Sequence, residues 1–369
     1  MSLVDQNTHG PKTLEDLVRG WQPYADDLLL HDPGGLAESV VRRGELLVPG
    51  DRATDVLDGL GSWVDGVRHH EHLGFARARL RASEEHRCVE IARDRGAAAN
   101  HVHVGGTVMV GSPVIFGTGA RARISPPVPA PAEQVWDVSV GLLDTGLDPH
   151  PWFADRPWFQ QVDEVLDADD DSGQDRMAGH GTFAAGVVLQ HAPGAVLLAH
   201  RTLSSLGLTD DVRVAEGLRA VAESTDVVLV TSGCHTPDDT CPPVLESALE
   251  PGQVVVAAAG NHGCSRPFWP AALPEVVAVA ATGPDGSRAE FSNRGDWVDA
   301  AAPGVDVVSS HVSLVAGAPR DRSYGCASWS GTSFAAPQVA ASVAAAVHAG
   351  HGRDEAAEIA CRDHPFGRS

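Results

Sequence analysis

Five short apolar runs constrain this chain more than any other feature. Residues 138–143, 195–200, 226–230, 254–258 and 276–281 are nearly uninterrupted in Val, Leu and Ala. A strand with one wet face alternates apolar and polar residues. A strand covered on both faces does not, so runs of this kind belong to parallel sheets flanked by helices. Helical spacing over 181–190, 210–222 and 244–249 fills the gaps between them. The fold class is therefore α/β, a mostly parallel sheet with helices on both faces. In such sheets ligands gather at the carboxyl ends of the strands.

The first third of the chain reads differently. After an N-terminal extension (1–40) with a short helix at 14–19, the spacing predicts a strand at 45–48 and a helix at 54–67. A strand at 72–80, a helix at 84–95 and a strand at 100–104 follow. That order makes a small α+β domain over 41–104. Residues 105–133 are rich in Gly and Pro and read as an extended connector, with a second domain over 134–369.

Composition narrows the class. Apolar residues make up 43% and charged residues 21% of the chain, as in soluble globular proteins. No run approaches the roughly 18 apolar residues of a membrane helix. The first residues lack a basic and then apolar leader, so the chain is expected to stay in the cytoplasm. Up to Ala130 there are 14 basic and 17 acidic residues; beyond it there are 13 and 32, a net of −19. Such an acidic second half argues against nucleic acid and suits basic peptides or plain solubility. The six cysteines form no CxxC pair, which argues against zinc. Cys234 and Cys241 are near enough in sequence to bridge, but in a reducing compartment free thiols are expected.

Three places carry chemistry. Asp144, in Asp144-Thr145-Gly146, stands at the carboxyl end of the first apolar run; alone it reads equally as an Asx-type turn. His180, in Gly179-His180-Gly181-Thr182, opens a small-residue helix whose glycines let another backbone approach closely. Ser333 sits in Ser330-Gly331-Thr332-Ser333-Phe334-Ala335-Ala336-Pro337, ahead of a helical pattern over 334–347. By itself this stretch is as readily a capped helix with proline in its first turn as the seat of a nucleophile. Together, an acid, a histidine and a serine at element ends match nucleophilic catalysis. In that arrangement the histidine moves the serine's proton and the acid orients the imidazole. Asn261, in Gly260-Asn261-His262-Gly263, adds an amide able to donate to an oxyanion, with turn chemistry as the other reading.

These four motifs resemble the subtilisin-like serine peptidases, for which the order Asp, His, Ser is already known. The resemblance runs from about 138 to about 350 and includes Phe291-Ser292-Asn293-Arg294-Gly295 and Ala302-Pro303-Gly304-Val305. It implies a serine endopeptidase acting through an acyl-enzyme. Ser333 would be the nucleophile, His180 the general base and acid, Asp144 its partner, and Asn261 the oxyanion donor with the Ser333 N–H. It also implies that Ser232 and Gly233 form an edge that pairs with an extended substrate, and that Ala258 and Gly260 line the pocket. The 41–104 domain resembles the family's propeptide, so the expected partners are a peptide or polypeptide substrate and the chain's own N-terminal domain as inhibitor.

No cofactor is required by this chemistry. Trp152 stands where relatives often place an aspartate ligand for calcium, so the usual strong calcium site is not expected. The acidic run 163–175, with Asp167, Asp169, Asp170 and Asp171, reads as a solvated loop, with a cation site or selection of basic substrates as alternatives. Gln338 replaces a histidine common in relatives, and few residues follow 347. The rival reading is a catalytically silent peptide-binding module capped by its own first domain. A lipase-type hydrolase is a weaker alternative, because the Gly-x-Ser-x-Gly elbow is absent around Ser333.

Overall fold

The computed structural model describes residues 13–105, 114–115, 127–130, 134–315 and 318–367. Most of the expected connector (106–113, 116–126 and 131–133) lies outside the described residues, as do residues 1–12. Helix α1 (Leu14–Trp21) begins at Thr13, which exchanges hydrogen bonds with Asp16 in a capping box. There follow β1 (Leu28–His31), β2 (Ser39–Pro49), α2 (Ala53–Leu60), β3 (Val64–His70), β4 (Phe75–Leu80), α3 (Cys88–Arg95) and β5 (Ala98–Gly105). The strands make an antiparallel sheet in the order β5-β2-β4-β3, with β1 also on β2. Alternate residues of β2 divide its two faces. Leu46 and Val48 pack with Val56, Leu60 and Ile91 of the helices, while Leu47 points to the other side.

Two expectations fail here. The helix expected over 54–67 stops at Leu60, because Gly61 takes a φ of +50° and turns the chain. Val64 and Val67, three residues apart as on a helix face, belong instead to an edge strand that is exposed along most of its length. The boundary between an extension and a domain at residue 40 falls inside β2, and β1 of the extension pairs with that strand.

The connector contributes β6 (Val114–Ile115). The apolar runs then give β7 (Ser139–Asp144), α4 (His180–His191), β8 (Val196–Arg201), β9 (Leu208–Asp210), α5 (Asp211–Ala222) and β10 (Val227–Val230). Beyond these lie β11 (Ser232–Gly233), α6 (Pro243–Ala248), β12 (Val254–Ala258), β13 (Val276–Thr282) and β14 (Ala300–Pro303). The six-stranded sheet has the order β14-β13-β12-β10-β7-β8, with every pair parallel. The continuous apolar runs follow from burial on both faces. Val227 and Leu229 share a core with Ala184 and Val188 of α4 and with later helical residues Val339 and Val343. Val228 and Val230 share another with Leu218 of α5 and Leu245 of α6.

The C-terminal part exceeds expectation. A long hairpin of β15 (Val307–Val315) and β16 (Ala318–Trp329) precedes α7 (Thr332–His348), and α8 (Arg353–Asp363) packs after it. Pro337 lies inside α7, in its second turn rather than its first. Lacking an N–H, it leaves the Ser333 carbonyl without its usual donor four residues on.

The two parts of the chain join through β5. It lies antiparallel between β9 and β11, with Val102 opposite Asp210, Val104 opposite Leu208 and Gly233, and Gly105 opposite Ser232. Leu47 and Phe75 of the N-terminal sheet, with Leu73 from the turn between β3 and β4, share a core with Val212, Leu218 and Leu245. Among the described residues no helix is long and apolar enough to cross a membrane.

Candidate active site

The carboxyl ends of β7 and β10 bring Asp144 and Thr231 together. Asp144 accepts from His180 Nδ1 at 2.8 and 2.9 Å, from the Thr145 N–H at 2.7 Å and from Thr231 Oγ1 at 2.6 Å. His180 is the first residue of α4, preceded by Gly179 at φ +82°. A Cβ on Gly181 would run into the Gly146 carbonyl, so glycine there lets α4 approach the turn after β7. The imidazole is packed by Phe334 (ring centroids 4.9 Å apart) and edge-on by Trp329 (5.2 Å). Its far nitrogen, Nε2, is buried and has no hydrogen-bond partner among the described residues.

Ser333 occupies the first turn of α7, where backbone N–H groups lack intrahelical partners. Its hydroxyl donates to the Thr231 carbonyl at 3.0 Å rather than to His180. Asn261 follows Gly260, which needs its positive φ of +93° and the absence of a Cβ that would meet Asn293 and Phe268. Thr332 donates to Asn261 Oδ1 from its N–H at 2.9 Å and its hydroxyl at 3.0 Å. With Oδ1 engaged in this way, Nδ2 is the available donor, beside the start of α7. One acid, one imidazole with a free basic nitrogen, one hydroxyl and one amide donor thus converge around Thr231 and Thr332. That set can move a proton, form a covalent ester and stabilise an oxyanion.

The model of the subtilase family matches residues 136–359. The chain belongs to the subtilase family. The thermophilic serine proteinase of Bacillus sp. (strain AK1) is 35% identical over 241 residues, covering 60% of this chain and 56% of that protein. Subtilisin BL of Lederbergia lenta is 34% identical over 217 residues, covering 56% of this chain and 75% of the relative. This subtilase therefore spans little more than half the length of the first of these. Among solved structures, a cold adapted subtilisin-like serine proteinase is similar at 26% identity with a TM-score of 0.47. It covers 62% of this chain and 82% of that one.

The other site residues expected in this subtilase divide. Ser232 and Gly233 form β11 and pair with β5. The Gly260 N–H donates to Thr332 Oγ1 at 3.1 Å. The Ala258 methyl belongs to the core beneath the sheet, so only its backbone can face a bound strand.

Three residues take roles that the sequence did not reveal, although Asn293 stands in a segment quoted above and Glu164 in the acidic run. Thr231 joins Asp144 to Ser333. Asn293 accepts from the His262 and Cys264 N–H groups at 3.0 and 3.2 Å and donates to the Ala259 carbonyl at 2.9 Å, holding the turn that presents Asn261. Glu164, fully buried, accepts from the Thr145 hydroxyl, from the Gly179 N–H at 2.9 Å and from the Thr182 hydroxyl at 2.9 Å. It therefore ties the turn after Asp144 to the start of the His180 helix. Burial pushes its carboxyl up to about 7; the Thr145 bond pulls it down, and the charge of Asp144 adds to the rise.

Trp152 packs edge-on against His150 at 5.3 Å, and the neighbouring Asp148 is paired with Arg322. In the acidic loop, Asp175 accepts from Ser205 Oγ and the Ala168 N–H at 2.6 Å each. Asp167 accepts from the Asp171 and Ser172 N–H groups at 3.1 Å each.

Proposed function

We propose that this chain is a serine endopeptidase working through an acyl-enzyme, with its own N-terminal domain held in the cleft as an inhibitor. The observation that carries this reading is Thr231. Its hydroxyl donates to Asp144 at 2.6 Å while its carbonyl accepts from Ser333 at 3.0 Å, so acid and nucleophile share one bridging residue. A rotation about the Ser333 Cα–Cβ bond frees the hydroxyl for the unpartnered Nε2 of His180. Attack on a peptide carbonyl then passes the hydroxyl proton to His180, whose imidazolium is supported by Asp144. Asn261 Nδ2 and the Ser333 N–H receive the oxyanion. His180 next gives its proton to the leaving amine, and water cleaves the ester by the reverse route.

The inhibitory role rests on β5, which already fills the strand position between β9 and β11, and on the apolar seam of Leu47, Leu73 and Phe75. Six unpaired thiols suit a reducing interior, so we expect the chain to act in the cytoplasm; cell fractionation checks this.

Ser333→Ala is expected to abolish hydrolysis of casein by the full chain while leaving its melting temperature within a few degrees. Activity that survived this change would refute the assignment. A fluorophosphonate probe separates the forms. Labelling at Ser333 before any cleavage marks a competent enzyme, and labelling only after cleavage within 105–133 marks a zymogen. Labelling in neither form marks the silent, self-capped module.

A further inference from the structure

Asp211 opens α5 at the floor of the groove that β5 fills, and it is wholly buried. Among the described residues, every hydrogen bond to its carboxylate comes from that one strand. Oδ2 accepts from the His101 N–H at 2.7 Å and His101 Nδ1 at 2.8 Å, and Oδ1 accepts from His103 Nε2 at 2.7 Å. Cys234, on the opposite wall, meets the same His103 nitrogen at 3.4 Å. His101 and His103 are two residues apart, so the strand's alternation turns both toward one side. Burial pushes the Asp211 carboxyl up, but the two imidazoles outweigh it and hold it at about 2. Once β5 leaves, nothing else among the described residues answers this carboxylate. A buried anion stripped of its donors is strongly disfavoured.

We infer that Asp211 selects what replaces β5: a polypeptide strand with a basic, N–H-bearing side chain (His, Lys or Arg) at the place of His103, favoured further by a second at the place of His101. This rests on reading the groove as the substrate cleft. The net charge of −19 beyond Ala130 draws such strands toward it. Asp211 acts here as a specificity residue and takes no part in bond breaking.

Two readouts on the full-length chain test this. In the first, a proteome-derived peptide library is cleaved and the products are sequenced. Wild type is expected to enrich His, Lys and Arg several-fold at one fixed position before the cut, and Asp211→Asn to flatten that position alone. Absence of enrichment, or enrichment that survives Asp211→Asn, overturns the inference.

The second readout needs no turnover. In Ser333→Ala protein, amide hydrogen exchange on β5 is compared for His103→Leu, Asp211→Asn and the double variant, with β4 and β12 amides as controls that both sheets remain folded. His103→Leu should speed β5 exchange on the order of 30-fold or more when Asp211 is present, and less than about 3-fold when it is Asn. Equal factors in both backgrounds would overturn the inference. If the library stays uncut both by the full-length chain and after cleavage within 105–133 while this coupling appears, the peptidase reading fails and the recognition by Asp211 stands.

Discussion

Glu164 offers the most quantitative test of how the turns that carry Asp144 and His180 are held. Its carboxyl is raised from an ordinary 4.5 to about 7 by burial, against the pull of the Thr145 hydrogen bond. At about 1.4 kcal/mol per pH unit, that rise corresponds to about 3 kcal/mol between the two protonation states. Below pH 4.5 the group is protonated whether the chain is folded or not, and the perturbation costs nothing. Between 4.5 and about 7 the unfolded chain releases a proton that the fold retains, so stability declines as pH rises. Above 7 the full penalty is present. Glu164→Gln cannot ionise and should remove this part of the decline. It also puts an NH2 beside one of the threonine hydroxyls, at a cost of about 1 kcal/mol that does not vary with pH. The assay is thermal unfolding of Ser333→Ala protein, with and without Glu164→Gln, from pH 4 to pH 9. The difference in melting temperature between the two should grow by roughly 4–6 °C across that range and level off near pH 8. Parallel profiles would refute the reasoning, because other titrating groups are common to both proteins.

Three further outcomes are expected. Asn261→Ala should lower kcat by about 100- to 1,000-fold with little change in KM, the loss known for the oxyanion amide of subtilisin itself; an unchanged kcat would place the oxyanion donor elsewhere. Phe75→Ala removes a ring from the seam between the N-terminal sheet and α5, at about 3–5 kcal/mol. Fluorophosphonate labelling of Ser333 in the full-length chain should then quicken by tenfold or more, and an unchanged rate would argue against a capping role. Treatment with EGTA should leave activity and melting temperature unaltered, since Asp148 is engaged by Arg322 and the acidic loop binds its own N–H groups; a fall of several degrees would reveal a calcium site.

Different parts of this molecule were legible in the sequence to different degrees, for physical reasons. The parallel sheet announces itself because strands buried on both faces must be apolar throughout. Asp144, His180, Asn261 and Ser333 stand out because each sits where an element begins or ends beside a glycine. Thr231 and Glu164 do not. Their roles depend on partners 87 and 15 residues away that only the folded chain brings close. The β15–β16 hairpin is hidden because Ser309-Ser310-His311 interrupts the apolar residues of β15 and β16 is largely polar. The helix misread over 64–67 shows how a chance spacing of two valines in an exposed edge strand imitates a buried helical stripe.

The three residues of β9 and the two of β11 flank β5 on either side. With β5 gone, both would become bare edges, and bare edges invite pairing with other copies of a chain. Their shortness limits that hazard. A single extended segment fits between them and finds donors and acceptors on both flanks, yet neither edge is long enough to template a growing ladder. An extended segment in place of β5 would therefore meet backbone partners on both flanks without the protein becoming a seed for its own aggregation.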